Sequence, residues 1–204
     1  MRDQVLMRLK ARTAIALLPL LYAGVAAANG RPFVCAELEN AKAEGLLAYL
    51  QRDRPSLKPE CAFYAMEQVG LKHYQPAVRT LIAYLDYPVP ADPAEANLPP
   101  IGRPRMLGYT YPASTALLDI GQAAVPDLIE AIGDPKTAEV IWRNAIQTLH
   151  DVCSEDVPGA VSRLYRASKA SGNSDVSYRL RQAAWRMADL CYGDIANACR
   201  EALR

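Results

Sequence analysis

The chain has 204 residues, about half of them hydrophobic, with 23 basic and 22 acidic residues for a formal net charge of +1. That is enough chain for one domain with a real core, and the apolar residues follow no long strand-like alternation, so an all-α class is expected. The near-balance of charge excludes the basic footprint of a nucleic-acid-binding protein.

The first 28 residues read as a secretory signal peptide. Arg2 to Arg12 is a basic start, Thr13 to Val25 is an apolar run of 13 residues, and Ala26-Ala27-Ala28 supplies small residues for cleavage before Asn29. A spanning helix needs about 20 apolar residues, so no stable membrane span is expected once the segment is removed. Arg2, Arg8, Lys10 and Arg12 stand there against Asp3 alone. Their removal takes the basic count to 19 and the acidic count to 21, a net charge near −2. The expected location is periplasmic or secreted, and the expected domain is 29–204.

Export gives the five cysteines their meaning, because disulfides persist in oxidising compartments. Cys35, Cys61, Cys153, Cys191 and Cys199 cannot all pair within one chain. Cys35 with Cys61 and Cys191 with Cys199 is one pairing, which leaves Cys153; Cys153 with Cys191 is the alternative. Spacing alone does not choose between them.

After a lead-in at 29–34, residues Ala36 to Asp53 are expected to be helical, ending in LLAYLQRD. LIAYLD at 81–86 and LIEAIGD at 128–134 are near-copies of that ending. Ala77-Val78-x-x-Leu81, Ala124-Val125-x-x-Leu128 and Ala160-Val161-x-x-Leu164 recur at intervals of 47 and 36 residues. Each is preceded by another helical stretch: CAFYAMEQVG, STALLDIG and WRNAIQTLHDVC. The last has its own copy in LRQAAWRMADLC, 38 residues on. The unit is a helix pair of the length found in helical repeat proteins.

The clearest copy is Pro112 to Pro135. Ala116, Leu117 and Ile120, then Val125, Leu128, Ile129 and Ile132, have helical spacing. Gly121 suits the positive-φ turn between two helices and Pro126 suits the first turn of the second. Asp134-Pro135 is expected to cap and open the next helix.

These residues resemble the HEAT-repeat family in its short, PBS-lyase-like form. ALLDIGQAAVPDLIEAIGDP, followed by Arg143-x-Ala145, is similar to that family's first helix, inter-helix glycine, Ala-Val-Pro opening and Asp-to-Arg ladder. Farther along, Arg179 and Arg181 compete for the ladder position. The resemblance runs from about Ala43 to the C-terminus and implies a short right-handed α-solenoid of stacked antiparallel helix pairs, armadillo-like in outline, whose curved face binds a protein or peptide. It also admits an enzyme of the lyase type that attaches bilins to cysteine, but no motif here specifies a chromophore site. HEAT-like DNA glycosylases need a basic groove, which this composition does not supply.

One stretch interrupts the repeat. Residues 86–112 hold seven of the 15 prolines, a density that excludes helix and strand interiors. Arg103, Arg105, Tyr109 and Tyr111 near its end combine cationic and aromatic groups and are the expected binding residues.

Catalytic signals are weak. His150-x-x-Cys153 places two ligand types one turn apart, yet zinc needs three or four, so no metal is expected. His73 has no evident partner, and no phosphate loop, nucleophile elbow or carboxylate pair stands out. No cofactor is implied. The sequence thus points to a non-catalytic binding scaffold, with a lyase-type enzyme or an envelope protein cross-linked through its odd thiol as alternatives.

Overall fold

The computed structural model describes residues 35–88 and 111–204, and all regular structure among them is helical. The elements are α1 (Ala43–Leu50), α2 (Pro59–Leu71), α3 (Val78–Ala83), α4 (Pro112–Ile120), α5 (Val125–Gly133), α6 (Glu139–Val152), α7 (Val157–Ala170), α8 (Ser174–Asp189) and α9 (Ala196–Glu201), with short 3-10 turns between several of them. The chain falls into two compact units, Met1–Glu39 and Asn40–Arg204. In the described part of the first, Cys35 and Leu38 are buried within a turn. Among the described residues no helix is long and apolar enough to cross a membrane.

The expected helix over 36–53 is shorter than the sequence suggests. Lys42 is extended, with φ −70° and ψ 166°, and α1 starts only at Ala43. The preceding AELENAK offers a single large apolar side chain, Leu38, so a helix there has no stripe to bury. From α1 onward the apolar positions do the work expected of them. Leu46, Tyr49 and Leu50 are buried on α1, and Cys61, Ala62, Ala65, Met66 and Val69 on α2.

α2 crosses α4 at close range. Gly70 makes it possible, because a Cβ there would stand 2.6 Å from Cα of Ala116 and 2.9 Å from its Cβ. Real side chains do not tolerate that approach to a backbone atom, so only glycine fits the contact.

The 112–135 segment forms two helices joined by a 3-10 turn at Gly121–Ala124. Gly121 has φ 75° and ψ −142°, a backbone state open in practice to glycine alone. Ala116, Leu117, Ile120, Val125, Leu128 and Ile132 are buried, and Ile129 is only partly covered. The two helices commit these faces chiefly to neighbours: α4 packs on α2, α3 and α6, while α5 packs on α6, α8 and α3.

Two expectations around Asp134 change. α6 begins at Glu139, so Asp134 does not cap it; the Asp134 carboxylate instead accepts the N–H of Lys136 at 2.9 Å, closing the turn that ends α5. Nor does Asp134 pair with Arg143. Arg143 reaches Glu139 on its own helix, 3.6 Å away. Farther on, Asp156 caps α7 by accepting the N–H of Gly159 at 3.0 Å, and Asn173 caps α8 through the N–H groups of Asp175 and Val176.

Cys191 and Cys199 form a disulfide with Cα atoms 6.5 Å apart, joining the end of α8 to α9. Cys35 and Cys61 are each disulfide-bonded and Cys153 is the free thiol, so the Cys153–Cys191 alternative is not formed.

Candidate functional site

Of the residues singled out in the proline-rich stretch, Arg103, Arg105 and Tyr109 lie outside the described residues. Tyr111 is partly buried and extended ahead of α4, and its carbonyl accepts the N–H of Ser114 at 3.0 Å. Its described role is to start a helix.

The groups that chemistry would use gather elsewhere, where α6 and α8 meet the end of α5. A helix terminus leaves carbonyls without intrahelical partners. At the end of α5 the Thr137 hydroxyl donates to the carbonyl of Ala131 at 2.8 Å, and the Trp142 indole N–H donates to that of Ile132 at 3.1 Å. Arg179 adds two donors from α8, Nε to Ile132 at 3.4 Å and Nη2 to Thr137 at 3.1 Å. A cation beside these negative dipole ends is favourable. Trp142 is therefore fixed in its pocket by a capping bond, and Arg179 rests against its ring, 5.3 Å from the centroid.

Arg186, two turns further along α8, lies against the same ring at 5.2 Å. Both guanidinium groups gain from the indole face, at about 0.5–1 kcal/mol each where exposed. Their situations differ. Arg179 has spent donors on two carbonyls, whereas among the described residues no carbonyl or carboxylate is bonded to Arg186. Tyr178 and Gln182 complete a depression of about 180 Å³, with Glu139 at its edge. Gln182 donates to the Tyr178 hydroxyl at 2.9 Å, one turn away on α8.

The outer face of α8 carries two large aromatics among its polar residues. Tyr178 is 61% exposed and Trp185, seven residues on and so on the same face, is 52% exposed. Tyr192, just past the helix, is 84% exposed. Large exposed aromatics beside free cations characterise binding surfaces. The sequence carried a signal for this: Tyr178 and Trp185 are the residues of α8 that break its polar face.

The histidines belong to other settings. His150 contacts Asp151 at 3.0 Å and not Cys153. Cys153 is 1% exposed, its sulfur 3.9 Å from Nε2 of Gln122, and burial pushes its thiol pKa up. A buried, protonated thiol is a poor nucleophile and cannot reach a second chain in the folded state. His73 takes the positive-φ region, φ 47°, and its Nδ1 lies 2.5 Å from the carbonyl oxygen of Asp119. Beside it Glu67 and Asp119 form a carboxylate pair that sequence reasoning missed, since they come from α2 and α4. Burial raises both pKa values; the neighbouring Asp119 raises that of Glu67 further, and His73 partly offsets the rise at Asp119. Among the described residues no group of three or more His, Cys, Asp or Glu is placed to hold a metal ion.

A second cluster locks the start of the proline-rich stretch. Arg54 pairs with Asp86 and lies over Tyr84 and Tyr87, at 4.5 Å and 5.5 Å from their centroids, while the Tyr84 hydroxyl donates to the carbonyl of Leu50 at 2.8 Å. The Arg54 Nη atoms are spent on Asp86 and its Nε is buried, which suits a structural clasp.

Comparison of the chain with protein-family models, with curated proteins and with solved structures finds no match.

Proposed function

We propose that this chain is an exported, non-catalytic scaffold that holds a protein or peptide partner on the outer face of α8, beside α6. The observation that carries the reading is the pair of half-exposed aromatics, Tyr178 and Trp185, next to Arg186, to which no carbonyl or carboxylate is bonded among the described residues. An apolar pair on a helix face otherwise open to water is costly to keep without use, and aromatic and arginine side chains supply most of the energy in protein interfaces.

The architecture that presents this face is, in our reading, a short right-handed α-solenoid of HEAT-like helix pairs. Supporting it are the sequence repeat and the succession of contacts in which α2 packs on α4, α4 on α6 and α6 on α8. α5 also packs on α8, past the intervening pair member α7, as α3 packs on α6 one pair earlier. The contact of α5 with α8 is what brings Arg179 to the carbonyls ending α5. Export rests on the basic and apolar start of the sequence together with two cysteine pairs in disulfide linkage.

The test is affinity capture of the mature chain from its own cell envelope, alongside a Tyr178→Ser/Trp185→Ser variant of unchanged melting temperature. The expected result is a stoichiometric partner held by the natural chain and lost by the variant. Equal recovery by both refutes this placement of the surface.

A further inference from the structure

We infer that the partner segment seated on this face is acidic, and that a carboxylate of it docks on the Arg186 guanidinium at the edge of Trp142. The inference rests on the binding role proposed above and adds the chemistry of the occupant.

Three observations converge on it. The first is charge. Arg179 and Arg186 share one indole ring at 5.3 Å and 5.2 Å, so the two cations stand no more than about 10.5 Å apart. An anion between or beside them is therefore within reach of two cations at once. The second is availability. The carboxylate at the edge, Glu139, faces Arg143 at 3.6 Å, and the donors of Arg186 remain unspent among the described residues. A guanidinium held against an aromatic ring keeps its in-plane fork of N–H groups free, the arrangement that receives a carboxylate with two parallel hydrogen bonds. The third is shape. Tyr178 and Trp185 lie along the same helix face and give the aliphatic or aromatic side chains of the same segment an apolar track.

A peptide fits these features better than the other anionic polymers. A nucleic acid needs a broad basic surface, whereas the chain carries 23 basic against 22 acidic residues overall. An anionic membrane needs several clustered cations, each adding attraction, and Asp175 and Asp189 punctuate this helix.

The experiment is a peptide array graded from acidic to neutral to basic at constant apolar content, probed with the mature chain. The same preparation is titrated with anionic phospholipid vesicles and a single-stranded oligonucleotide. Binding is expected to rise with the number of Asp and Glu residues and to fall as salt is raised. Arg186→Gln is expected to weaken binding of the most acidic peptides about fivefold, the upper range for a solvent-accessible ion pair, and to flatten the salt dependence. Arg186→Lys, which keeps the charge without the fork, should fall between, and Arg166→Gln, at an exposed position on α7, should behave as the natural chain. Retention of fold is read from the melting temperature of each variant. Equal binding to neutral or basic peptides, or an unchanged salt slope in Arg186→Gln, overturns the acidic occupant while leaving peptide binding in place. No binding anywhere on the array overturns it as well, and the envelope capture then judges the broader reading separately. Tighter, Arg186-dependent binding to vesicles or oligonucleotide assigns the face to a different class of partner and also overturns the inference.

Discussion

Replacing Gly70 with alanine tests the packing of the whole helical array, because helix propensity and tertiary packing predict opposite signs. Gly70 lies within α2, and exchanging a helical glycine for alanine ordinarily stabilises by about 0.5–1 kcal/mol. Here the new Cβ would meet Cα of Ala116 at 2.6 Å, its Cβ at 2.9 Å and Oδ2 of Asp119 at 3.1 Å. An ordinary contact needs about 1 Å more, and the first obstacle is backbone, so α2 and α4 must part along a close crossing. Overpacking of this kind costs about 1–3 kcal/mol. At about 2–4 °C per kcal/mol for a chain of this size, the melting temperature of Gly70→Ala should fall by about 2–12 °C. Gly45→Ala is the internal control. Gly45 is exposed on α1, and its added Cβ meets nothing nearer than Cβ of Ala41 at 3.6 Å, so the same exchange should raise the melting temperature by about 1–4 °C. Thermal unfolding followed by circular dichroism measures both. A rise for both variants would show that α2 and α4 do not approach as described.

Other consequences are equally direct. Leu128 on α5 is fully buried, and Leu128→Ala should lower stability by about 2–5 kcal/mol in chemical denaturation, with no activity needed for the readout. The Cys191–Cys199 bridge spans a sequence separation of 8, for which loop closure is worth about 2.5 kcal/mol; the double alanine variant should melt about 5–10 °C lower. At the α2 to α4 crossing, burial and the Asp119 charge hold the Glu67 carboxyl above its ordinary range. A raised folded-state pKa means that the folded protein binds the proton more tightly, so the linked stability is present below the ordinary carboxylate range and is lost as pH rises through the raised value. Glu67→Gln, neutral throughout, should therefore stabilise at neutral pH and change little near pH 3; a stabilisation independent of pH would contradict this. Cys153 should resist thiol reagents in the native protein and react on unfolding, with one equivalent of label per chain.

The features legible in the sequence are those decided by a few neighbouring residues. Gly121 and Pro126 punctuate α4 and α5 because one needs positive φ and the other needs no N–H, and both demands are local. The buried residues of α2, α4, α5 and α7 follow from helical spacing for the same reason. Asp134 was open to misreading because an Asp followed by Pro serves equally to cap a helix or to close a turn, and the choice falls to whether 135–138 can bury anything; Pro135, Lys136 and Ala138 are exposed and Thr137 is half-buried. The site was harder still. Trp142, Arg179 and Arg186 come from two helices, and what joins them is the packing of α8 on α6 and on the end of α5, contacts between distant segments that local spacing does not report. Glu67 and Asp119 are hidden likewise: each reads as an ordinary surface carboxylate on its own helix until Gly70 draws the two helices together.

The claim that function resides on the outer face of α8 is tested most directly by photo-cross-linking in the intact envelope. A benzophenone amino acid is placed at position 185 in one chain and at position 118 in another, the second being a similarly exposed apolar position on α4, where Leu118 is 41% exposed. Irradiation should yield a discrete higher-mass adduct from position 185 that diminishes when Arg186→Gln is added, and none from position 118. An adduct from position 118 with none from position 185 would place the partner on another face and contradict the account.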